Sequence, residues 1–394
     1  MKHESGCEIY VEVSTLLEPS WSGIANVTAN LCRSLLASKQ RTHFFAFDKL
    51  IRPGHIEHAL RVNDGGGLQL LMDYGIAIEG SLQNRTRSGR EEIAIFPNFK
   101  RGYQDFDFEV LIVHDLSFIL MPELHEAHLI EDYKTRLFRD VHSVNRVVCV
   151  SNATRDDLIT YYAVPSSKVS FAHLGVDGHT SPAAAGDSSE LRALNLVPQR
   201  YFLVLGTIEP RKNIELVIDY LAANRRVLDE YKFVFAGRNG WGKDFQSICA
   251  ARGMTDPRVI HLGYVSEPQR KALLQKCTAL LFPSWFEGFG LPVLEAMAIG
   301  TPVIGSRSSS IVEVGGSAMI GFEPGSLDSF SKAIDHFLRL NAGDRQALST
   351  RCMTHARTFT WNAFRDAILS AAGVGEHPGN VPAPAAGSLA VAER

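Results

Sequence analysis

Short apolar segments rich in β-branched and aromatic residues alternate along the chain with longer segments whose apolar residues recur at helical spacing. This pattern predicts strands at 8–13, 43–47, 92–96, 109–114 and 145–150, with helices at 24–38 and 123–142. It predicts further strands at 201–206, 232–237, 258–263, 278–283 and 301–305, alternating with helices from Asn213, near 244–252, from Glu267 and near 291–299. Strands that alternate with helices of this length indicate parallel sheets covered on both faces. We therefore expect an α/β fold in which two doubly wound, Rossmann-like domains face a cleft.

Composition along the chain suggests where these domains begin and end. Residues 1–177 form the first predicted domain, and 178–198 lack periodicity and hold mainly small, polar and turn-forming residues, which is typical of a linker. The second domain is predicted over 199–357, and a helix at 358–372 is expected to return to the first domain. Residues 373–394 are rich in Gly, Pro and Ala, which predicts a disordered tail.

Composition and charge exclude several classes of protein. With 45% hydrophobic and 21% charged residues, the chain is typical of a folded globular protein. No apolar segment is long enough to span a bilayer, and six scattered cysteines without CxxC spacing indicate reduced thiols, so we expect a cytoplasmic protein. Residues 1–198 carry 19 Lys and Arg against 25 Asp and Glu, and residues 199–394 carry 21 against 18. Proteins that bind nucleic acid concentrate positive charge far more strongly, so no such partner is expected.

The segment at 282–305, FPSWFEGFGLPVLEAMAIGTPVIG, is the most informative one for chemistry. A strand leads into a loop that ends at Gly290, and a helix begins close to Leu291, where N–H groups and the helix dipole suit a diphosphate. Glu287 lies in the loop and Glu295 inside the helix, and their carboxylates suit the hydroxyls of a sugar and a ribose. The ordinary alternative is a strand–helix junction with one capping and one surface glutamate.

Two other predicted strands end next to polar side chains. In the segment 203–213, LVLGTIEPRKN, the strand ends at Gly206, and Arg211 and Lys212 follow just before a helix. Adjacent cations at this position can neutralise a leaving diphosphate, although a solvated pair is the alternative. His114 directly follows an apolar strand, where it is either catalytic or a structural histidine.

Several nucleotide and metal motifs are missing from the sequence. There is no G-x-G-x-x-G fingerprint, no P-loop and no Asp-x-Asp at the end of a strand. A dehydrogenase, a bound metal and a cofactor are therefore not expected. Gly23, in the loop after the first strand, offers backbone that could lie against a phosphate.

Glu287 and Glu295, with seven residues between them in EGFGLPVLEAMAIGTPVI, resemble the signature of the retaining glycosyltransferases of family 4, which have the GT-B fold. The segments GTIEPRKN, GWG, HLGYVS, VHDLSF and VSNATRDDL resemble the mannosyltransferase-B-like branch, whose members build bacterial O-antigens and exopolysaccharides. The resemblance runs from about residue 8 to 372, except for 50–90.

The resemblance implies a metal-independent transfer of a hexose from a nucleotide-sugar donor, with GDP-mannose as the first choice, onto a saccharide acceptor that is lipid-linked. The resemblance also implies that Glu287 holds hydroxyls of the donor sugar and that Glu295 binds the ribose. It implies that Arg211 and Lys212 bind the leaving diphosphate. It implies the catalytic residues His114, Arg211, Lys212 and Glu287, and the donor-binding residues Gly23, Gly206, Phe289, Gly290, Leu291 and Glu295. Other dTDP- or UDP-sugar donors, a GT-B nucleotide-sugar epimerase and a non-catalytic sugar-nucleotide-binding protein stay open.

A lipid-linked acceptor would bring the enzyme to the inner face of a membrane. The first half has its densest basic cluster at Arg85, Arg87, Arg90, Lys100 and Arg101. Each such residue near an anionic surface contributes about 1 kcal/mol, which predicts weak peripheral contact. A solvated loop around a strand is the alternative.

Overall fold

The computed structural model describes residues 6–19, 21–100, 106–176 and 189–374. In the first domain the strands are β1 (Glu8–Glu12), β2 (Arg41–Ala46), β3 (Lys49–Ile51), β4 (Ile78–Ser81), β5 (Glu92–Phe96), β6 (Phe108–Val113), β7 (Arg146–Cys149) and β8 (Val169–Phe171). Its helices are α1 (Gly23–Leu36), α2 (Pro53–Val62), α3 (Gly65–Asp73), α4 (Ser117–Leu120), α5 (Ala127–Ser143) and α6 (Asn152–Tyr162).

The remaining elements begin with α7 (Ser189–Ala193) and build the second domain. Its strands are β9 (Tyr201–Leu205), β10 (Lys232–Ala236), β11 (Val259–Gly263), β12 (Ala279–Phe282), β13 (Val303–Ser306) and β14 (Ile320–Phe322). The helices are α8 (Ile214–Ala223), α9 (Phe245–Ala250), α10 (Glu267–Lys276), α11 (Leu291–Ala298), α12 (Ile311–Gly315), α13 (Leu327–Arg339), α14 (Ala342–Ala356) and α15 (Trp361–Ala371).

Two sheets confirm the predicted doubly wound architecture. The first has the order β4-β3-β2-β1-β5-β6-β7-β8 and the second β11-β10-β9-β12-β13-β14. All the strands predicted from the sequence are present, with ends within two residues of the prediction. Strands β9 and β12 are buried along their whole length, because helices cover both faces of the sheet. Strands β10 and β11 follow on one side of β9, and β13 and β14 follow on the opposite side of β12, so the strand order reverses between β9 and β12. Open α/β sheets bind ligands at the carboxyl ends of the two strands where this reversal occurs.

The first sheet departs from the prediction at one edge. Strands β2, β3 and β4 pair antiparallel, so the expectation of a purely parallel sheet is wrong there. Only Phe47 and Asp48 separate β2 from β3, and Phe47 has φ of 58°. A parallel pair needs a crossover of a dozen or more residues, so this connection can only form a hairpin.

The ends of the second domain also differ in part from the prediction. Residues 178–188 of the predicted linker lie outside the described residues, but 189–193 form α7, which packs against α10 because Leu191 and Leu196 are buried. At the other end α15 packs on α1 of the first domain, where the hydroxyl of Ser34 donates to Asn362 at 2.8 Å. The tail predicted for 373–394 lies outside the described residues beyond Val374.

Most of the basic cluster is engaged in ion pairs. Arg85 contacts the buried carboxylate of Glu92 at 2.6 Å, and Lys100 contacts that of Glu109 at 2.6 Å. Arg87 also pairs with Asp107, and the cation at 101 lies outside the described residues. The surface therefore carries less positive charge than the sequence suggests, and membrane contact stays a prediction. Among the described residues, no helix combines the length and apolar character that a membrane span requires.

A carboxylate of the second domain caps a helix of the first. Glu313 on α12 accepts hydrogen bonds from the N–H groups of Asn152 at 2.9 Å and Ala153 at 2.7 Å, which open α6. Nε2 of His173 lies 2.9 Å from the same carboxylate. Burial alone would raise the pKa of Glu313, but these hydrogen bonds lower it below the usual value. An ionised carboxylate therefore lies at the positive end of α6 and holds the two domains together.

We expect Glu313→Ala to loosen the contact between the domains, because it removes the only side chain that bridges α12 to the two opening N–H groups of α6 in the described part of the chain. Loss of a helix cap costs about 1 kcal/mol. Small-angle scattering should give a larger radius of gyration, and the thermal midpoint should fall. Glu323→Ala, at an exposed glutamate of the same domain, is the control. Equal values for the two variants would contradict this role.

Candidate active site

Four charged side chains meet where the loops after β9 and β12 approach each other. Glu287 is 7% exposed, and its two oxygens lie 2.7 Å from Nζ of Lys212 and 2.7 Å from Nη1 of Arg211. Nη2 of Arg211 donates to Glu209 at 2.6 Å. We call these four residues the ion cluster. It joins the two loops that follow neighbouring parallel strands, so it lies at the edge where a ligand is expected.

The sequence analysis missed Glu209, although it lies only two residues before Arg211. Burial raises the pKa of Glu209, against the opposing effect of Arg211 and Lys212. The cluster thus holds two carboxyl groups and two cations, a pairing that offsets the cost of burying charge. The sequence signal that could have identified Glu209 was its position next to two predicted diphosphate-binding cations.

Glu287 is ionised at neutral pH. Its burial would raise the pKa, but Arg211 and Lys212 lower it to about 2. An ionised carboxylate only accepts hydrogen bonds, and each oxygen has room for more than one donor. Lys212 lies close to the end of β9, since a Cβ built on Gly206 would be in ordinary contact with its Cε at 3.5 Å. The φ of +136° at Gly206 favours glycine at this position.

The loop before α11 has the predicted form. Gly290 adopts φ of +97°, the helix begins at Leu291, and Pro292 lies in its first turn. The side chain of Phe289 is buried, with its ring centroid 5.9 Å from that of His173. Packing of Phe289 therefore anchors the loop while the N–H groups that open α11 remain at the carboxyl edge of the sheet.

Glu295 lies apart from the ion cluster. It is the fifth residue of α11 and forms an ion pair with Arg270 of α10, which also contacts Glu267 at 2.7 Å. Burial raises the pKa of Glu295, opposed by Arg270. The two glutamates of the sequence signature thus have different cationic partners, and the sequence analysis did not find Arg270.

His114 lies at the end of β6, where the first domain meets the second. Its Nε2 lies 2.7 Å from the carbonyl oxygen of Pro97, so this nitrogen donates and Nδ1 accepts in the neutral ring. Burial lowers the pKa of His114, opposed by the contact with Pro97 and by Asp115. A Cβ at Gly288 would lie 1.9 Å from the carbonyl oxygen of His114. Only glycine allows the backbones of the two domains to approach so closely.

A cavity of about 240 Å³ brings these parts together. His114 of the first domain and Arg211 of the second both line it. Ile24 lines it as well, so the first turn of α1 also reaches the cavity. Next to it, a Cβ at Gly23 would meet no atom within 4 Å. The cavity therefore connects His114 and the first turn of α1 with Arg211 of the ion cluster.

Two family models match the chain. "Glycosyltransferase Family 4" matches residues 21–179 and "Glycosyl transferases group 1" matches residues 189–355. The chain is 29% identical over 267 residues to the O-antigen chain mannosyltransferase B of Escherichia coli, covering 67% of this chain and 70% of that protein. It is 28% identical over 260 residues to the serotype-specific mannosyltransferase WbdA of Escherichia coli, of which it spans only 32%.

Solved structures show the same fold at low sequence identity. Anabaena Alr3699/HepE, in complex with UDP and glucose, has a TM-score of 0.65 at 16% identity, covering 93% of this chain and 98% of that one. WaaG, a glycosyltransferase involved in lipopolysaccharide biosynthesis, has a TM-score of 0.63 at 13% identity, covering 93% and 100%. These neighbours show the GT-B fold. Because the two family models together match both domains, the chain belongs to glycosyltransferase family 4.

Proposed function

We propose that this glycosyltransferase moves mannose from GDP-mannose onto a saccharide acceptor in bacterial O-antigen or polysaccharide assembly, with retention of anomeric configuration and without a metal. The observation that carries this proposal is the pairing of Glu287 with Arg211 and Lys212 at the carboxyl ends of β9 and β12. The names of the two Escherichia coli relatives support mannose as the sugar. A dTDP- or UDP-sugar is the alternative donor.

The ion cluster suits the charges of the reaction. As the bond from the anomeric carbon to the diphosphate breaks, its electron pair moves to the leaving phosphate, and Arg211 and Lys212 stabilise the developing negative charge. Glu287 holds both cations in place and keeps lone pairs for hydroxyls of the donor sugar. In this proposal the two cations take the place of a metal ion. Among the described residues, no three His, Cys, Asp or Glu side chains converge as metal ligands would.

Retention follows if the acceptor attacks from the face that the diphosphate leaves. The acceptor oxygen then forms its bond to the anomeric carbon while the bond from the anomeric carbon to the phosphate oxygen breaks. The proton of the acceptor hydroxyl passes to the leaving phosphate. Neutral His114 lies on the first-domain side, where its Nδ1 can accept from a hydroxyl of the donor sugar. Glu295 binds the ribose in this proposal, and Arg270 sets the position of its carboxylate. The acceptor is proposed to be lipid-linked and reached by peripheral contact at the inner face of the membrane.

Donor binding is tested by thermal unfolding with GDP-mannose, UDP-glucose and dTDP-glucose at equal concentrations. We expect GDP-mannose to raise the midpoint most, since a ligand at 100 times its Kd stabilises by about 2.7 kcal/mol. Incubation with and without a mannoside acceptor then separates the classes of activity. A glycoside product that needs the acceptor supports the transferase. An isomerised sugar nucleotide would indicate an epimerase, and binding without turnover would indicate a non-catalytic protein.

Lys212→Ala should lower the turnover number about 10²–10³-fold, because it removes one stabiliser of charge in the transition state. Lys212→Arg should retain part of the activity, since it restores a cation beside Glu287. Lys271→Ala, at an exposed lysine of the same domain, is the control. Circular dichroism should show all three proteins folded. Activity of folded Lys212→Ala equal to that of the control would remove Lys212 from the site.

Transfer should continue unchanged in EDTA after exhaustive dialysis, because the charge of the diphosphate is met by Arg211 and Lys212. The measurement is the initial rate with and without added Mg²⁺ or Mn²⁺. A strict requirement for either ion would show that the diphosphate is neutralised in another way.

A further inference from the structure

Arg211 and Lys212 keep hydrogen-bond donors for a diphosphate while they hold both carboxylates of the ion cluster. In the described part of the chain, Lys212 donates only to Glu287, so two of its three ammonium hydrogens remain. Arg211 donates through Nη1 to Glu287 and to the carbonyl oxygen of Phe286, and through Nη2 to Glu209. These contacts use three of its five N–H groups. A diphosphate can therefore join the ion cluster while both carboxylates stay in place.

The charge of the ion cluster becomes unbalanced when a diphosphate joins it. With both carboxylates ionised, the charges of the two cations and the two anions cancel. A nucleotide-sugar donor then adds a negative charge on each of its phosphates. At most 16% of each of the four side chains is exposed, so solvent ions screen this repulsion only weakly. Binding of a proton to one of the carboxylates lowers the repulsion.

Glu209 is the carboxylate that binds a proton more readily. Its contact is with one cation, Arg211, whereas the two oxygens of Glu287 accept from different cations. Burial raises the pKa of Glu209, opposed by Arg211 and Lys212, and the charge of Glu287 raises it further. At Glu287 the same two cations outweigh burial and lower the pKa to about 2. A proton that enters the ion cluster therefore binds to Glu209.

The loop after β10 packs against Glu209 but brings no further cation into contact with it. A Cβ built on Gly240 would lie 3.6 Å from Cβ of Glu209. Arg238 in this loop lies over an aromatic ring at 4.5 Å, Lys243 pairs with another glutamate at 3.7 Å, and Asp244 caps α9. The charge of Glu209 is therefore governed by the ion cluster itself.

Three titratable groups of the first domain lie on the other side of Arg211. Asp115, His114 and His125 line the same cavity as Arg211. Despite its burial, Arg211 has a raised pKa because of Glu287, Glu209 and Asp115. Burial lowers the pKa of both histidines, so each is neutral at pH 7 and could also gain a proton beside a diphosphate. An experiment must therefore separate Glu209 from the histidines.

We propose that Glu209 takes up a proton from solvent when the diphosphate of the donor binds, and that its neutral carboxyl group still holds Arg211 in position. The carbonyl oxygen of the protonated group continues to accept from Nη2 of Arg211. Glu209 is thus a positioning residue that acts on the donor through Arg211. The inference rests on the proposed transferase function and adds a dependence of donor affinity on pH. Because the bound state holds more protons, affinity falls as pH rises.

Calorimetric titration with GDP-mannose, UDP-glucose and dTDP-glucose near pH 7 measures this proton. Each diphosphate is esterified at both ends, so no phosphate of the ligand titrates near neutral pH. Titrations in HEPES, imidazole and Tris, whose enthalpies of ionisation differ, give the number of protons bound with the ligand. We expect uptake of about one proton with each sugar nucleotide that binds. Its Kd should rise by about ten-fold per pH unit where this uptake is complete.

Glu209→Gln removes the titrating group but keeps an oxygen that can accept from Arg211. Proton uptake should disappear in this variant, and its Kd should be nearly independent of pH and lower than that of wild type at alkaline pH. A purely structural role would instead weaken binding at every pH. Glu209→Ala also removes the accepting oxygen, so we expect kcat to fall about ten-fold. Glu230→Gln, at an exposed glutamate of the same domain, is the control and should take up the proton as wild type does.

Two outcomes would overturn this inference. Binding by the wild type without proton uptake would show that Glu209 keeps its charge, and uptake that persists in Glu209→Gln would assign the proton to another group, such as His114 or His125. In either case the measured affinity for a sugar nucleotide would leave the transferase proposal standing. Absence of binding by all three sugar nucleotides would contradict the transferase proposal and this inference together.

Discussion

The carboxylate of Glu287 accepts hydrogen bonds from Lys212 and Arg211 at 2.7 Å each, and this buried pairing connects the loops that follow β9 and β12. Each loop alone would carry charges that are costly to remove from water. Together with Glu209 they form a cluster without net charge, and it places two cations at the point where the sheet reverses its winding. Contacts within the protein fix the positions of both cations, which is the condition for stabilising charge in a transition state without reorganisation.

Contacts between the domains connect the ion cluster to the rest of the site. The carbonyl of His114 packs against Gly288, in the same loop as Glu287, so the position of the ion cluster also fixes the first domain. Glu313 holds α6 nearby, and Trp241 reaches across to the carbonyl of Leu124. These contacts surround the cavity that both domains line. The site therefore depends on how the domains meet as much as on either sheet.

Much of this could be predicted from the sequence because buried parallel strands are continuous apolar runs and ligand-binding loops follow them. The positions of His114, Arg211, Lys212 and Glu287 at strand ends were found in this way. What spacing along the chain could not predict was which charged side chains approach one another. Glu295, in the same motif as Glu287, has a separate cationic partner on α10.

Other features depended on packing that no local pattern records. The cations of the basic cluster meet buried carboxylates on β5 and β6, so their charge is largely compensated within the domain. The helix α7 forms within the predicted linker because its apolar residues pack on α10.

The measurement that tests the central claim most directly is the anomeric configuration of the product formed without a metal. Proton NMR can follow GDP-mannose and octyl α-mannopyranoside with the enzyme in EDTA. We predict a new mannoside signal with the anomeric configuration of the donor, growing as GDP is released. A product of the opposite configuration, or one that forms only after a divalent metal is added, would contradict the mechanism built on Arg211 and Lys212.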